Sequence, residues 1–328
     1  MAESQQGAQP LVTIIVPVFN QERYIEQCLR SIAMQKVDFP YEVLVGDDHS
    51  TDSTQEVLIR LRDELPDSFH FLLREQNMGG RGEKNCEDML LRSRGKYLAL
   101  LEGDDYWTYD GKLQAQVDFL EAHPDYSSVF HRCTVVGEDS LPNGEAYPQC
   151  PTEDYTYEEF FYCSMPGQLG TCVMRRQEFL LYREEFMAGK LYDSYAGDRR
   201  NAFVLLMIGK VRCLPDVWSA YRHVKKGGAS YSANVHLDRQ YAQDEVDFAI
   251  TCMAFAMQHD NPEALRTAKL MYHRVLFKWS HGEAAVTTPA AALRSALSDD
   301  DWPAYLTAPL RWYAVLGARQ LMGQGVTL

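Results

Sequence analysis

Between residues 10 and 101 the chain alternates short apolar runs with segments whose apolar residues recur at helical spacing. LVTIIVPV, residues 11 to 18, is a near-continuous β-branched run of strand length, the pattern of a strand buried on both faces of a parallel sheet. From Glu22 onward Tyr24, Ile25, Leu29 and Ile32 keep helical spacing, and EVLVG over 42–46 supplies a second strand. Asp52 with Gln55 three residues later predicts a capping box, opening a helix with Val57, Leu58, Leu61 and Leu65 on one face. A strand over 69–73, a helix from Glu83 to Arg94 and a strand from Lys96 to Leu101 complete a βαβαβαβ order. An open, mostly parallel, doubly wound sheet is the solution that this order predicts.

Beyond Gly111 the pattern changes. A helix carries Leu113, Val117 and Leu120 on one stripe, and the alternation then weakens into shorter strands and loops up to about residue 224. From about residue 236 the chain is helical in character, with stretches such as EVDFAITCMAFAMQ and EALRTAKLMYHRVLFKW behind the linker GGASYSAN. A stripe of Leu306, Leu310, Tyr313 and Leu316, with Trp302 and Trp312 nearby, predicts packing by the last helix.

Composition narrows the classes. The chain has 328 residues, 46% of them hydrophobic, enough for a sizeable core. A formal charge of -14 argues against a nucleic-acid partner. Eight cysteines form no CxxC pair and no regular scaffold spacing, which predicts reduced thiols in a cytoplasmic protein. Residues 1–9 carry no signal-like apolar stretch and predict a flexible tail, and no window has the length of a membrane span.

In an open parallel sheet, ligands bind outside the carboxyl ends of the strands. The segments there are Phe19-Asn20-Gln21, Asp47-Asp48-His49-Ser50-Thr51-Asp52, Arg74 to Asn77 with Gly79-Gly80, and Glu102-Gly103-Asp104-Asp105. Crowded carboxylates repel, so a fold keeps them together only where a cation or hydrogen-bond donors compensate. Mg²⁺ or Mn²⁺ binds one or two carboxylates and completes its shell with water and substrate phosphates, which makes a nucleoside diphosphate the natural ligand. For Asp47, Asp48 and Asp52, Asx turns and a helix cap are an equal alternative. No GxxxxGK[ST] and no GxGxxG after the first strand is present, so a P-loop and a Rossmann dinucleotide site are both disfavoured.

The segments VTIIVPVFNQERYIEQCLRSI, VLVGDDHSTDST, NMGGRGEKN and LLEGDDYWTYDGKLQAQVDFL, in this order and spacing, resemble the successive signatures of family 2 inverting glycosyltransferases of the GT-A fold. The likeness covers residues 10 to about 225. It implies a catalytic domain over 10–228, with a nucleotide-binding half at 10–110 and an acceptor half at 111–228, followed by a helical C-terminal region over 235–328. It implies that Pro17, Phe19 and Asn20 border the nucleotide and that Asp48 bonds a base, most often uracil. Asn77 and Gly80 would join nucleotide-sugar binding. Asp104 would lie near the ribose or sugar, and Asp105 would hold the Mg²⁺ or Mn²⁺ that bridges the phosphates. Two positions depart from the family: Glu102 stands where many relatives have Asp, and His49 where many have Gly.

An inverting transfer needs a carboxylate to take the acceptor proton on the face opposite the leaving diphosphate. By the resemblance this is Asp198 of Gly197-Asp198, ahead of the helical RRNAFVLLMIG, with Asp193 in reserve; a helix N-terminus favours the ionised form. In YRHVKKGGAS, similar to a Tyr-Arg-x-His segment of relatives, His223 is a candidate metal ligand or phosphate donor, with Lys225 and Lys226 beside it. Trp107, Gly170 and Thr171 would line the acceptor site. The partners implied are a UDP-sugar donor and a glycan or lipid-linked acceptor in bacterial surface polysaccharide synthesis. The C-terminal helices admit a peripheral contact at the inner membrane face or a homo-oligomer. The competing readings are a sugar-1-phosphate nucleotidyltransferase, for which the Gly-rich basic loop after the first strand is missing, and a non-catalytic interaction protein.

Overall fold

The computed structural model of the chain describes residues 9–193, 197–223, 238–279 and 302–321. Most of the expected tail (residues 1–8), Lys225, Lys226 and the GGASYSAN linker lie outside them, as do the side chains of Trp302 and Leu306.

The first hundred residues form β1 (Val12–Val18), α1 (Ile25–Ala33), β2 (Tyr41–Asp47), α2 (Thr54–Arg62), β3 (Phe69–Leu73), α3 (Glu83–Arg92) and β4 (Tyr97–Leu100). The four strands pair in parallel in the order β3-β2-β1-β4. Val12, Ile14, Ile15 and Val16 are wholly buried, as the unbroken apolar run requires, each contributing about 1.5–3 kcal/mol of burial. The capping box does not form. Ser53 is the N-cap of α2, and Gln55 turns away to donate to Asp47 Oδ2 at 2.6 Å, while Asp52 Oδ1 accepts from Thr54 N at 3.0 Å.

The chain continues through β5 (Tyr106–Trp107), α4 (Lys112–Ala122), β6 (Tyr126–Val136), β7 (Asp154–Tyr155), α5 (Tyr157–Phe161), β8 (Val173–Arg175), α6 (Arg176–Ala188), α7 (Gly197–Ile208) and β9 (Lys210–Arg222). The sheet extends past β4 through β8, β6, β9 and β5. β8 runs antiparallel to β4, with Ala99 opposite Val173, and β5 antiparallel to β9, with Tyr106 opposite Ala220. These two pairings bring residues just before β8, and the end of β9, to the carboxyl edge of β4. Among the described residues three helices follow, α8 (Arg239–Gln258), α9 (Pro262–Lys278) and α10 (Trp302–Leu321).

The chain divides into two compact units, one of Met1–Tyr147, Pro166–Leu180 and Val211–His223, the other of Pro148–Met165, Leu181–Lys210 and Val224–Leu328. The first unit holds the nucleotide-binding half, 10–110, and the second holds the C-terminal helices together with 148–165 and 181–210. In the first, the sheet unit, β1, β2 and β4 pack against α1, α2 and α4 through Ile25, Leu29, Ile32, Leu58, Leu61, Leu113, Val117 and Leu120. The second, the helical unit, has an aromatic core that explains why 181–210 belongs to it. Phe186 of α6 lies 6.1 Å from Phe203 of α7 and 6.2 and 5.2 Å from Phe248 and Phe255 of α8. Asn261 caps α9 by accepting from Ala264 N, and Pro262 occupies the first turn, where its missing N–H costs nothing. α10 packs through Tyr305, Ala308, Trp312 and Leu316, whereas Leu310 and Tyr313 are 67% and 47% exposed. The predicted stripe thus had the wrong phase for Leu310 and Tyr313, because this helix is apolar on more than one face.

All eight cysteines are free thiols. Among the described residues no helix is long and apolar enough to cross a membrane.

Candidate nucleotide and metal site

Register places the polar segments side by side. Val18 opposes Asp47, and the amides of Leu101 and Gly103 donate to Ile15 O and Pro17 O at 3.0 and 3.3 Å, so the turns after β1, β2 and β4 abut. Asn20, with φ 54, is held in a left-handed conformation that costs energy for a residue with a Cβ. Its Oδ1 accepts from Thr51 N at 2.8 Å, and its own amide donates to Ser50 Oγ at 2.9 Å. His49 is also left-handed, with φ 61, where the family pattern favours glycine. Phe19, Asn20, His49, Asn77 and Gly80 are exposed along this edge, and Pro17 is half-buried.

The three acids after β2 separate by role. Asp47 is buried and accepts from Ser50 N and Gln55 Nε2, and Asp52 accepts from Thr54 and from Glu22 N, so both are turn anchors. Asp48 Oδ1 accepts from Met78 N at 2.7 Å, and Asn77 Nδ2 donates to Asp48 O at 2.9 Å, which ties the third loop to the second.

The turn after β4 gathers the charge. Ligand oxygens of Glu102, Asp104 and Asp105 all lie within 4.8 Å of one another, with Glu102 exposed, Asp104 half-buried and Asp105 only 2% exposed. Asp105 is pinned at both oxygens: Oδ1 accepts from Arg222 N at 2.7 Å and Oδ2 from Gln168 Nε2 at 2.9 Å. Burial drives the pKa of Asp105 well up, and the charges of Asp104 and Glu102 push it further, against the pull of Arg222. Burial also raises Asp104, with Arg222 and Gln21 opposing. Carboxylate oxygens of Glu102 and Asp104, with Asp105 behind them, are a hard donor set that suits Mg²⁺ or Mn²⁺.

Two residues here escape a reading of sequence alone. Arg222 is buried and spends its guanidinium on Asp104 O, Gly137 O, Glu138 O, Gln27 Oε1 and Ser140 Oγ, with Tyr24 4.2 Å from its centre. It clasps the loop after β6 against the acidic turn and supplies a counter-charge to Asp104 and Asp105. Gln168 is buried on the other side of Asp105.

Trp107 is 1% exposed, its Nε1 donates to Gly170 O at 2.8 Å, and Lys112 Nζ sits 4.0 Å from the centre of its ring. It fills core and presents no open face to a sugar. Gly170 and Thr171, in the 3-10 turn Leu169–Thr171, are buried as well. His223 pairs through Nδ1 with Glu145 and is not part of the carboxylate cluster. Asp198 lies in the first turn of α7, in the helical unit; it is exposed, although enough protein surrounds it for desolvation to raise its pKa, with Arg200 opposing. Asp193 is exposed, its amide donating to Asp244 Oδ1 at 3.0 Å.

A doubly wound sheet with exposed polar loops and a carboxylate cluster at the ends of its parallel strands defines a nucleotide-binding class of α/β protein. The model of the family described as Glycosyl transferase family 2 matches residues 13–181, and the chain belongs to this family. A Mycobacterium tuberculosis (strain ATCC 25618 / H37Rv) protein, "Uncharacterized protein Rv1520", is 37% identical over 216 residues, 66% of this chain and 60% of the relative. The putative teichuronic acid biosynthesis glycosyltransferase TuaG of Bacillus subtilis (strain 168) is 30% identical over 168 residues, 51% of this chain and 64% of its own. The chain thus spans about 60% of the length of these relatives. The crystal structure of S. aureus TarS 1-349 in complex with UDP-GlcNAc aligns with TM-score 0.58 and 21% identity, covering 92% of this chain and 83% of that one. The fold is GT-A, with additional C-terminal helices.

Proposed function

We propose that the protein transfers a sugar from a nucleoside diphosphate, preferentially UDP, to an acceptor hydroxyl of a glycan or lipid-linked glycan, with inversion. The observation that carries this reading is the carboxylate cluster at the carboxyl end of β4 in a chain of this family. Relatives named for teichuronic acid synthesis and for poly(ribitol-phosphate) β-N-acetylglucosaminyl transfer support a role in surface-polymer assembly.

Asp104 and Glu102 offer the cluster's accessible oxygens and would hold Mg²⁺ or Mn²⁺, while Asp105 braces them from behind. The ligand duty expected of Asp105 moves to its neighbour, because both Asp105 oxygens already accept protein hydrogen bonds. When bound, the ion offsets charge on the leaving diphosphate. Asp48 accepts from the base, and Phe19 and Asn20 border it. Asp198 takes the proton of the acceptor hydroxyl; a raised pKa makes a carboxylate a stronger base.

Calorimetric titration of UDP, GDP and dTDP with Mn²⁺, repeated in EDTA, tests the reading. One diphosphate should bind tightly and lose its binding in EDTA, and no binding of any would refute it. With a competent acceptor, Asp198→Asn should keep Mn²⁺–UDP binding while kcat falls by about 10²–10⁴-fold; unchanged turnover would remove Asp198 from its role.

A further inference from the structure

Asp105 lies at the back of the carboxylate cluster; the Arg222 amide holds one of its oxygens and an amide side chain the other. Gln168 Nε2 donates to Asp105 Oδ2 at 2.9 Å, and Gln168 Oε1 accepts from Gly170 N at 2.6 Å. Because one end meets an acceptor and the other a donor, the amide has a single satisfied orientation. The turn around it is equally determined. Thr171 Oγ1 and Thr171 N donate to Gln168 O at 2.6 and 2.9 Å, and Gly170 O accepts from Trp107 Nε1 at 2.8 Å. A Cβ at Gly170 would come within 2.7 Å of Gln168 Oε1, so only glycine lets the amide seat itself there. Gln168, Asp105, Gly170 and Thr171 are all buried, where an unsatisfied partner is costly and a satisfied one is rigid.

We propose that Gln168 is a positioning residue for the metal site: it locks Asp105 against the Leu169–Thr171 turn, so that Asp104 and Glu102 face a divalent cation in a fixed arrangement. Glutamate in its place would set oxygen against oxygen, and asparagine would fall one methylene short of Asp105. The inference rests on the metal-binding part of the proposed function and does not depend on the identity of the nucleotide or the sugar.

The two ends of the amide can be separated by substitution. Asn at 168 can still accept the Gly170 amide two residues on, in an Asx turn, but cannot reach Asp105. Gln168→Asn should therefore melt close to the parent while binding Mn²⁺ about 10–100-fold more weakly, the range seen when a partner that orients a ligand is lost; the readout is Mn²⁺ titration by electron paramagnetic resonance with no nucleotide present. Gln168→Ser, which keeps an acceptor for the same amide, is used if the Asn variant does not fold. Thr171→Val is the control: it disturbs the turn without touching Asp105 and should bind Mn²⁺ as the parent does. Parent-like Mn²⁺ affinity in Gln168→Asn, an equal loss in Thr171→Val, or no Mn²⁺ binding by the parent would each overturn the proposal. Mn²⁺ binding by the parent, lost in Gln168→Asn, with no binding of any nucleoside diphosphate would uphold it while refuting the nucleotide reading.

Discussion

Each unit of the chain buries a carboxylate among charges, and the two are balanced in opposite ways. Glu245 of α8 lies between Lys278 Nζ at 3.2 Å, Arg274 Nη2 at 3.6 Å and Trp279 Nε1 at 2.7 Å. Burial alone would raise its pKa, but the two cations and the indole hold it below the usual carboxylate value. Asp105 is as deeply buried, yet its neighbours Asp104 and Glu102 are also acidic and push its pKa up, with Arg222 opposing. Cations dominate around the first carboxylate, whereas further carboxylates crowd the second, with Arg222 opposing them. A carboxylate held by cations of its own fold is part of the architecture, whereas carboxylates crowded at a ligand-binding edge suit a divalent cation.

The largest effect expected from this contrast is on stability. Glu245→Ala takes the carboxylate from between Arg274 and Lys278, and removing one partner of a buried pair costs about 3–5 kcal/mol. Urea unfolding should show that loss, while Mn²⁺ binding by the folded protein stays at the parent's affinity. A change below about 1 kcal/mol, the range of surface pairs, would mean that Glu245 is not the keystone its partners suggest. Asp104→Asn should do the reverse. Mn²⁺-dependent UDP binding should weaken by about 100-fold or more, about 2.7 kcal/mol, whereas stability in EDTA should stay level or rise, since one of three like charges has gone. A variant that unfolds easily but binds normally would reverse the assignment of roles.

Half of the sheet was open to sequence reasoning, and the physical reason is local. β1 to β4 are short apolar runs that can only be buried, and their helices carry one-sided apolar spacing, so order, direction and the chemistry of the loops follow. The polar edge of β4 was legible for the same reason, as EGDD follows KYLALL without a break. What was not legible depends on strands that return from far along the chain. Gln168 and Arg222 reach Asp105 only because β8 and β9 run antiparallel within the same sheet, at separations of 63 and 117 residues. The candidates beside them, His223, Gly170 and Thr171, marked these stretches of chain but not the contacts to Asp105. Trp107 looked like a sugar platform beside an acidic turn, but pairing of β5 with β9 and the contact to Gly170 turn it inward. Asp52 and Gln55 have the spacing of a capping box, yet the buried Asp47 carboxylate is the better partner for the Gln55 amide.

The smallest effect expected is also the most diagnostic of crowded carboxylates. The folded-state pKa values of Asp104 and Asp105 are raised above those of the unfolded chain. Between the unfolded and folded values the native state binds more protons, so the cluster costs the fold nothing extra at low pH, and its cost grows as pH rises through that window. A divalent cation competes with those protons and relieves that cost only once they have left. Saturating Mn²⁺ at a hundredfold excess over Kd is worth about 2.7 kcal/mol, a few degrees in Tm for a chain of this size. The rise should be clear at pH 7.5 and shrink towards zero at pH 4, in differential scanning fluorimetry with and without EDTA. Asp104→Asn should flatten this dependence, and Glu245→Gln should leave it intact even though it lowers Tm at both pH values. A Tm increment from Mn²⁺ that is equal at the two pH values would place the ion on some other part of the surface, and the distinction between the two buried charges would lose its functional meaning.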